Sequence, residues 1–181
     1  MAALCSVDAH ARIDISRTRR IAFPTYAQMF SLARMHVLVG RPRGGDPARD
    51  ALALYDALGA GRAYCSFDVL ADGSGATLAV TSGDLQVGMG GSIPWQDGAL
   101  LRSALPPAGD IARTDLVRNG EIVASGEGRI VEFDLDRPGV YRIEVSLPTP
   151  GFRGGWKPWI LTNPVHLIAG EDESAAPAPV G

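Results

Sequence analysis

The chain has 181 residues, 46% of them apolar and 20% charged, with a formal net charge of −3. That length suits one well-buried domain or a small domain with an attached subdomain. The balance of charge offers no broad basic surface for nucleic acid, and no run of about 18 apolar residues is present to span a membrane. The 22 Gly and 13 Pro residues favour many turns, and so short strands over long helices.

At the N-terminus, Asp8 and His10 lie two positions apart in SVDAHAR. A carboxylate and an imidazole projecting from one short segment make half of a divalent-metal site, for Zn or Mn. Cys5, three residues earlier, offers either a soft third ligand or a small thiol. Cys5 and Cys65 are the two cysteines, so one disulfide can form and a disulfide framework cannot. The opening Met-Ala-Ala-Leu-Cys-Ser-Val lacks the basic n-region of a signal peptide. The chain as written is therefore expected in the cytoplasm, unless it is the trailing part of a longer protein whose front carried an export signal. Arg12, Arg17, Arg19 and Arg20 cluster, but Asp8 and Asp14 interleave with them and indicate a solvated face.

Residues 24–38 place Tyr26, Met29, Phe30 and Ala33 at helical spacing, predicting a helix with one apolar face. His36 falls in or just beyond it, as a packed or capping residue. The segment 40–45 (GRPRGG) lacks the Lys-Ser/Thr pair and preceding strand of a phosphate loop and reads as a linker. A second helix is better marked: Asp46 is a natural N-cap and Pro47 suits the first turn. Its stripe of Ala51, Leu52, Tyr55 and Leu58 stops at Gly59 and Gly61.

From residue 64 the texture becomes β. Short segments at 64–70, 77–82, 100–105, 111–118, 121–125, 129–135, 140–147 and 165–168 recur at sandwich-like intervals. Asn119-Gly120 predicts a two-residue hairpin, and Arg137-Pro138-Gly139 a turn. Tyr141, Ile143 and Val145 alternate with Arg142 and Glu144, predicting a half-buried strand. His166 alternates with Val165 and Leu167 at a half-exposed strand position. The stretch 83–98 holds Met89, Ile93 and Trp95 amid Gly, and reads either as a loop closing over a ligand or as a bulged strand whose Trp covers the core. Phe152, Trp156 and Trp159 interleave with Arg153 and Lys157, so Trp95, Trp156 and Trp159 are the candidate ligand or partner contacts, one of them being expected as a core anchor. The Gly-x-Ser strings around Ser74 lie in a turn and not on a nucleophile elbow. Residues 170–181, rich in acid, Pro and Ala, read as a disordered tail.

Taken in order, VDAH, RDALALYDALGAGRAYCSFD, VRNGEIVASG, GVYRIEV and PWILTNPVHL resemble the trailing portion of a polymerase-and-histidinol-phosphatase (PHP) domain protein. The resemblance covers residues 7–168 and is to the bacterial group in which a metallophosphoesterase barrel precedes a small β-sandwich. It implies that Asp8 and His10 are the closing Asp-x-His metal motif, and that Trp159, Ile160, Asn163 and Pro164 belong to the closing strand. The family's leading His-x-His and its middle His and Glu ligands have no counterpart here; the chain holds three His in all. The expectation is therefore an α+β protein in which a helical N-terminal layer (1–63, PHP-like remnant) precedes an immunoglobulin-like antiparallel β-sandwich (64–169). Its expected function is that of a non-catalytic binding or interaction module, with a protein or small ligand as partner and self-association through the helical face. The alternative is a metal-dependent phosphoesterase, or a subunit of one, whose site another chain completes.

Overall fold

The computed structural model describes residues 2–7, 13–16, 19–21, 25–40, 44–151 and 154–170. Asp8, His10 and the tail 171–181 lie outside the described residues.

Two short strands, β1 (Ile13–Ser16) and β2 (Arg19–Ile21), pair antiparallel. Helix α1 (Tyr26–Phe30) follows, opened by a capping box in which Thr25 and Gln28 bond reciprocally and closed at Ser31. Then come β3 (Arg34–Val37), helix α2 (Pro47–Gly59), β4 (Ala63–Ser66), β5 (Thr77–Ser82), β6 (Leu85–Gly88), β7 (Ser92–Pro94) and β8 (Leu100–Ala104). A 3-10 turn at Pro107–Ile111 leads to β9 (Arg113–Arg118), β10 (Glu121–Glu127), β11 (Ile130–Asp134), β12 (Gly139–Thr149), β13 (Gly155–Thr162) and β14 (Val165–Ile168).

Among the described residues, the strands after the separate β1–β2 pair form a large sheet and a small one. The large sheet runs β10-β9-β12-β13-β4-β3, with β14 pairing both β12 and, in parallel, β7. The small sheet runs β11-β8-β5-β6. Strand β12 organises the large sheet: it holds β9 along one edge, and β14 and then β13 along the other. Its inward residues Tyr141, Ile143, Val145 and Leu147 meet Leu78, Val80, Leu101, Val131 and Phe133 of the small sheet in one core. Burial of these side chains, at about 1.5–3 kcal/mol each, is the main force holding the sheets together.

The Asn119-Gly120 hairpin forms as expected between β9 and β10, both residues taking positive φ (52° and 96°). Along β13 the register slips between Val145 and Ser146 of its partner. The bulge lets the consecutive Trp159 and Ile160 both turn inward and become fully buried.

The helical N-terminal layer is not found, and the α+β assignment is corrected to a predominantly β protein with two short helices among the described residues. Helix α1 spans five residues, buries none, and stops before Met35. A single turn is too short to persist on propensity alone, whereas Arg34–Val37 gain a full antiparallel ladder with β4. The segment read as a helix thus supplies an edge strand of the large sheet. The sheets of eight and four strands, with a parallel β7–β14 pair, also depart from the seven- or nine-strand immunoglobulin arrangement. No helix among the described residues is long and apolar enough to cross a membrane.

Candidate functional site

A concavity lies where α2 passes over the β3 edge. Asp46 caps α2 by accepting from the Ala48 and Arg49 amides, and Pro47 sits in its first turn, as the sequence predicts. The helix returns to the sheet through Arg62, whose amide donates to the Ala57 carbonyl and whose carbonyl accepts from Leu38 N–H at 2.8 Å. This last bond fixes the ladder phase. Leu38, His36 and Arg34 direct their backbone groups toward β4, and Met35 and Val37 direct theirs outward. No strand among the described residues pairs with that outer edge.

Between this edge and the helix lies a cleft of about 640 Å³ lined by Val37, Val39, Pro47, Ala51 and Leu54, with Asp50 at its rim. The predicted apolar stripe of α2 is not its packing face: Ala57 is the one helix residue fully buried, while Leu52 is 62% and Tyr55 68% exposed. With Leu38, Val39 and Leu54 also exposed, apolar surface gathers around an unpaired strand edge.

On the inner face of the same strand, His36 stacks on Tyr64 with ring centroids 4.5 Å apart. Its Nε2 lies 2.8 Å from Ser66 Oγ, which is 2.5 Å from Asp68 Oδ1. Serine has one proton, and an ionised carboxylate only accepts. Ser66 therefore donates to Asp68, and His36 donates its Nε2–H to Ser66. This polarity is the reverse of a nucleophile activated by a histidine base, which must accept the hydroxyl proton. Ser66 is also fully buried. Asp68, its side chain 7% exposed, accepts from Gly73 N–H and lies 3.2 Å from the Arg34 guanidinium. The cluster thus fastens β3, β4 and the following loop. Beside it, burial raises the Tyr64 hydroxyl above its ordinary pKa; that hydroxyl donates to Gly73 O and accepts from Ala76 N–H.

Comparison with family models, curated proteins and solved structures finds no match.

The candidate contacts from the sequence disperse. Trp159 is fully buried and donates its Nε1–H to Ala71 O at 2.8 Å. Trp95 packs on the core and donates to Leu135 O at 2.7 Å, with Met89 and Ile93 buried beside it. The stretch 83–98 is occupied by β6, a turn and β7. Trp156 stays 46% exposed on β13, and His166 is half-buried on β14. Among the described residues no three His, Cys, Asp or Glu side chains gather as a metal centre. Cys5, read as a ligand, a lone thiol or one half of the single possible disulfide, is bonded to Cys65. That bond removes it from any metal, since a ligating sulfur is a thiolate. Sequence reading missed Ser66, Asp68 and Leu54 as site residues; the YCSFD run announced a strand but gave no sign that its Ser would accept from a histidine 30 residues earlier and donate to its Asp.

Proposed function

We propose that the protein is a non-catalytic interaction module, derived from the trailing part of a PHP-domain protein, which pairs with a second copy of itself through the β3 edge and α2. The observation that carries this reading is the coincidence of a strand edge unpaired among the described residues with the exposed apolar residues Leu38, Val39, Leu52, Leu54 and Tyr55. An isologous two-fold contact fits that surface. Two β3 edges would pair antiparallel about Val37, continuing the sheet, and the two α2 faces would cover each other's apolar side chains. The inverted His36–Ser66–Asp68 chain supports a structural use of those groups. The Cys5–Cys65 bond favours an oxidising compartment over the cytoplasm, where thiols are kept reduced.

The test is Leu54→Asp, which places a charge in the cleft at a residue 40% exposed, so the fold survives. The variant is expected to sediment as a monomer that still melts cooperatively; an unaltered association state refutes the surface. A second reading, a phosphoesterase subunit, rests on Asp8-x-His10 following the anchored residues 2–7. Calorimetric titration of metal-stripped protein with Mn²⁺ and Zn²⁺ tests it: binding lost in His10→Ala supports it, and no binding ends it.

A further inference from the structure

Residues 2–7 form no helix or strand and lie against the large sheet beside Cys65, Leu161 and Asn163. Asn163, 2% exposed, engages both polar groups of one residue: Ala3 donates its N–H to Oδ1 at 2.7 Å, and Nδ2 donates to the Ala3 carbonyl at 3.0 Å. This two-point pairing is what a neighbouring strand would offer, and it recognises extended backbone whatever the side chain. Two residues further, Cys5 is joined to Cys65 across a sequence separation of 60. Beside the segment runs a groove of about 450 Å³, walled by Ala3, Leu4 and Cys5 on one side and by Val140, Arg142 and Leu161 on the other.

The segment adds no side chain to the buried core. No residue of 2–7 is fully buried and Leu4 is 64% exposed, while the buried core cluster begins at Tyr64. Without its sulfur bond, the segment keeps the two hydrogen bonds to Asn163, which together are worth on the order of tenfold in occupancy.

We propose that the sheet surface beside Cys65 and Asn163 is a binding site for an extended peptide segment, filled in the oxidised protein by residues 2–7 of the same chain and opened by reduction of the Cys5–Cys65 bond. The reductant is a dithiol. Its thiolate attacks the Cys5 sulfur, the more exposed of the pair, and Cys65 leaves as a thiolate that takes up a proton. The reductant's second thiol, as thiolate, then attacks its own sulfur in the mixed disulfide and releases Cys5, which is protonated in turn. Two electrons pass to the protein, and the reductant ends as its disulfide. The segment is then held by its two hydrogen bonds to Asn163 alone, and each time it detaches, the Asn163 amide is open to pair with another backbone.

Hydrogen exchange on the full chain, oxidised and then treated with a dithiol, tests the opening. The Ala3 amide is expected to exchange at least ~10-fold faster after reduction, while amides of β5, β8 and β12 keep their protection. Unchanged Ala3 exchange overturns the proposal, as does collapse of protection throughout the chain, which would make the bond a staple of the whole fold. Protein purified without reductant that contains free Cys5 and Cys65 thiols also overturns it. The peptide arm uses Cys5→Ser in a thiol–disulfide buffer with the hexapeptide Ala-Ala-Leu-Cys-Ser-Val, and with the same peptide N-methylated at its second Ala. Capture on Cys65 is expected to be about tenfold greater for the unmodified peptide, whose amide can donate to Asn163. Equal capture of the two refutes backbone recognition.

Discussion

Replacing Ser66 with Ala isolates the polar cluster under β3. The substitution removes one oxygen from a fully buried position, which relays a hydrogen bond from His36 to Asp68. A hydrogen bond to a charged group contributes about 1.5–3 kcal/mol, and the half-buried His36 N–H regains part of its loss from water. Asp68 keeps its Gly73 amide and its Arg34 partner, so the carboxylate is weakened without being orphaned. The net cost is therefore about 2–3 kcal/mol, which in a chain of this length lowers Tm by roughly 5–10 °C. The assay is thermal unfolding followed by circular dichroism, run for Ser66→Ala, Asp68→Asn and the double variant. Because Ser66 acts through Asp68, the two losses should be non-additive by about 1–2 kcal/mol. A Tm change under about 2 °C, or strict additivity, would refute the relay.

Three further outcomes follow from the same packing and turn geometry. Trp159→Ala empties a fully buried site and leaves the Ala71 carbonyl without its donor, so it should cost about 3–5 kcal/mol in denaturant unfolding, whereas the exposed Trp156→Ala should cost under about 1 kcal/mol. Gly120 has φ 96°, so Gly120→Ala should destabilise the β9–β10 hairpin by about 1–2 kcal/mol, while Glu121→Ala beside it should be close to neutral. Asp136 is held below the usual aspartate range, chiefly by its hydrogen bond from Arg137 and then by the charges of Arg137 and Arg118. A carboxylate whose folded pKa is depressed lends stability above its unfolded pKa and loses it as pH falls through the folded value. Carbon-detected NMR titration should therefore place the Asp136 midpoint below that of a free aspartate, and Asp136→Asn should flatten the acid limb of the stability profile.

Local chemistry was legible in the sequence where one short-range rule acts alone. Asn119-Gly120 demands positive φ at both positions and takes it, Asp46-Pro47 opens α2, and the alternation through Tyr141, Ile143 and Val145 orients β12. It misled where pairing across the chain decides. Met29, Phe30 and Ala33 do sit at helical spacing, yet Arg34–Val37 become a strand because β4 lies alongside to bond with them. Strand β13 was hidden in part because Pro158 weakens the strand pattern, and because the bulge turns Trp159 and Ile160 inward together, erasing the two-residue period. The candidate cleft escaped for a related reason. Periodicity in α2 identified an apolar stripe, but which face of a helix is covered depends on what stands opposite it; here the sheet meets Ala57 and leaves Leu52 and Tyr55 to solvent. The cysteine count allowed the Cys5–Cys65 bond, but the Asn163 clamp on Ala3 joins positions 160 residues apart, and no local pattern encodes such a contact.

Sedimentation velocity of the oxidised chain across a hundredfold range of concentration tests the central claim most directly. Pairing through β3 and α2 predicts a concentration-dependent shift from monomer to dimer that Leu54→Asp abolishes. A single monomeric species at every concentration would contradict it.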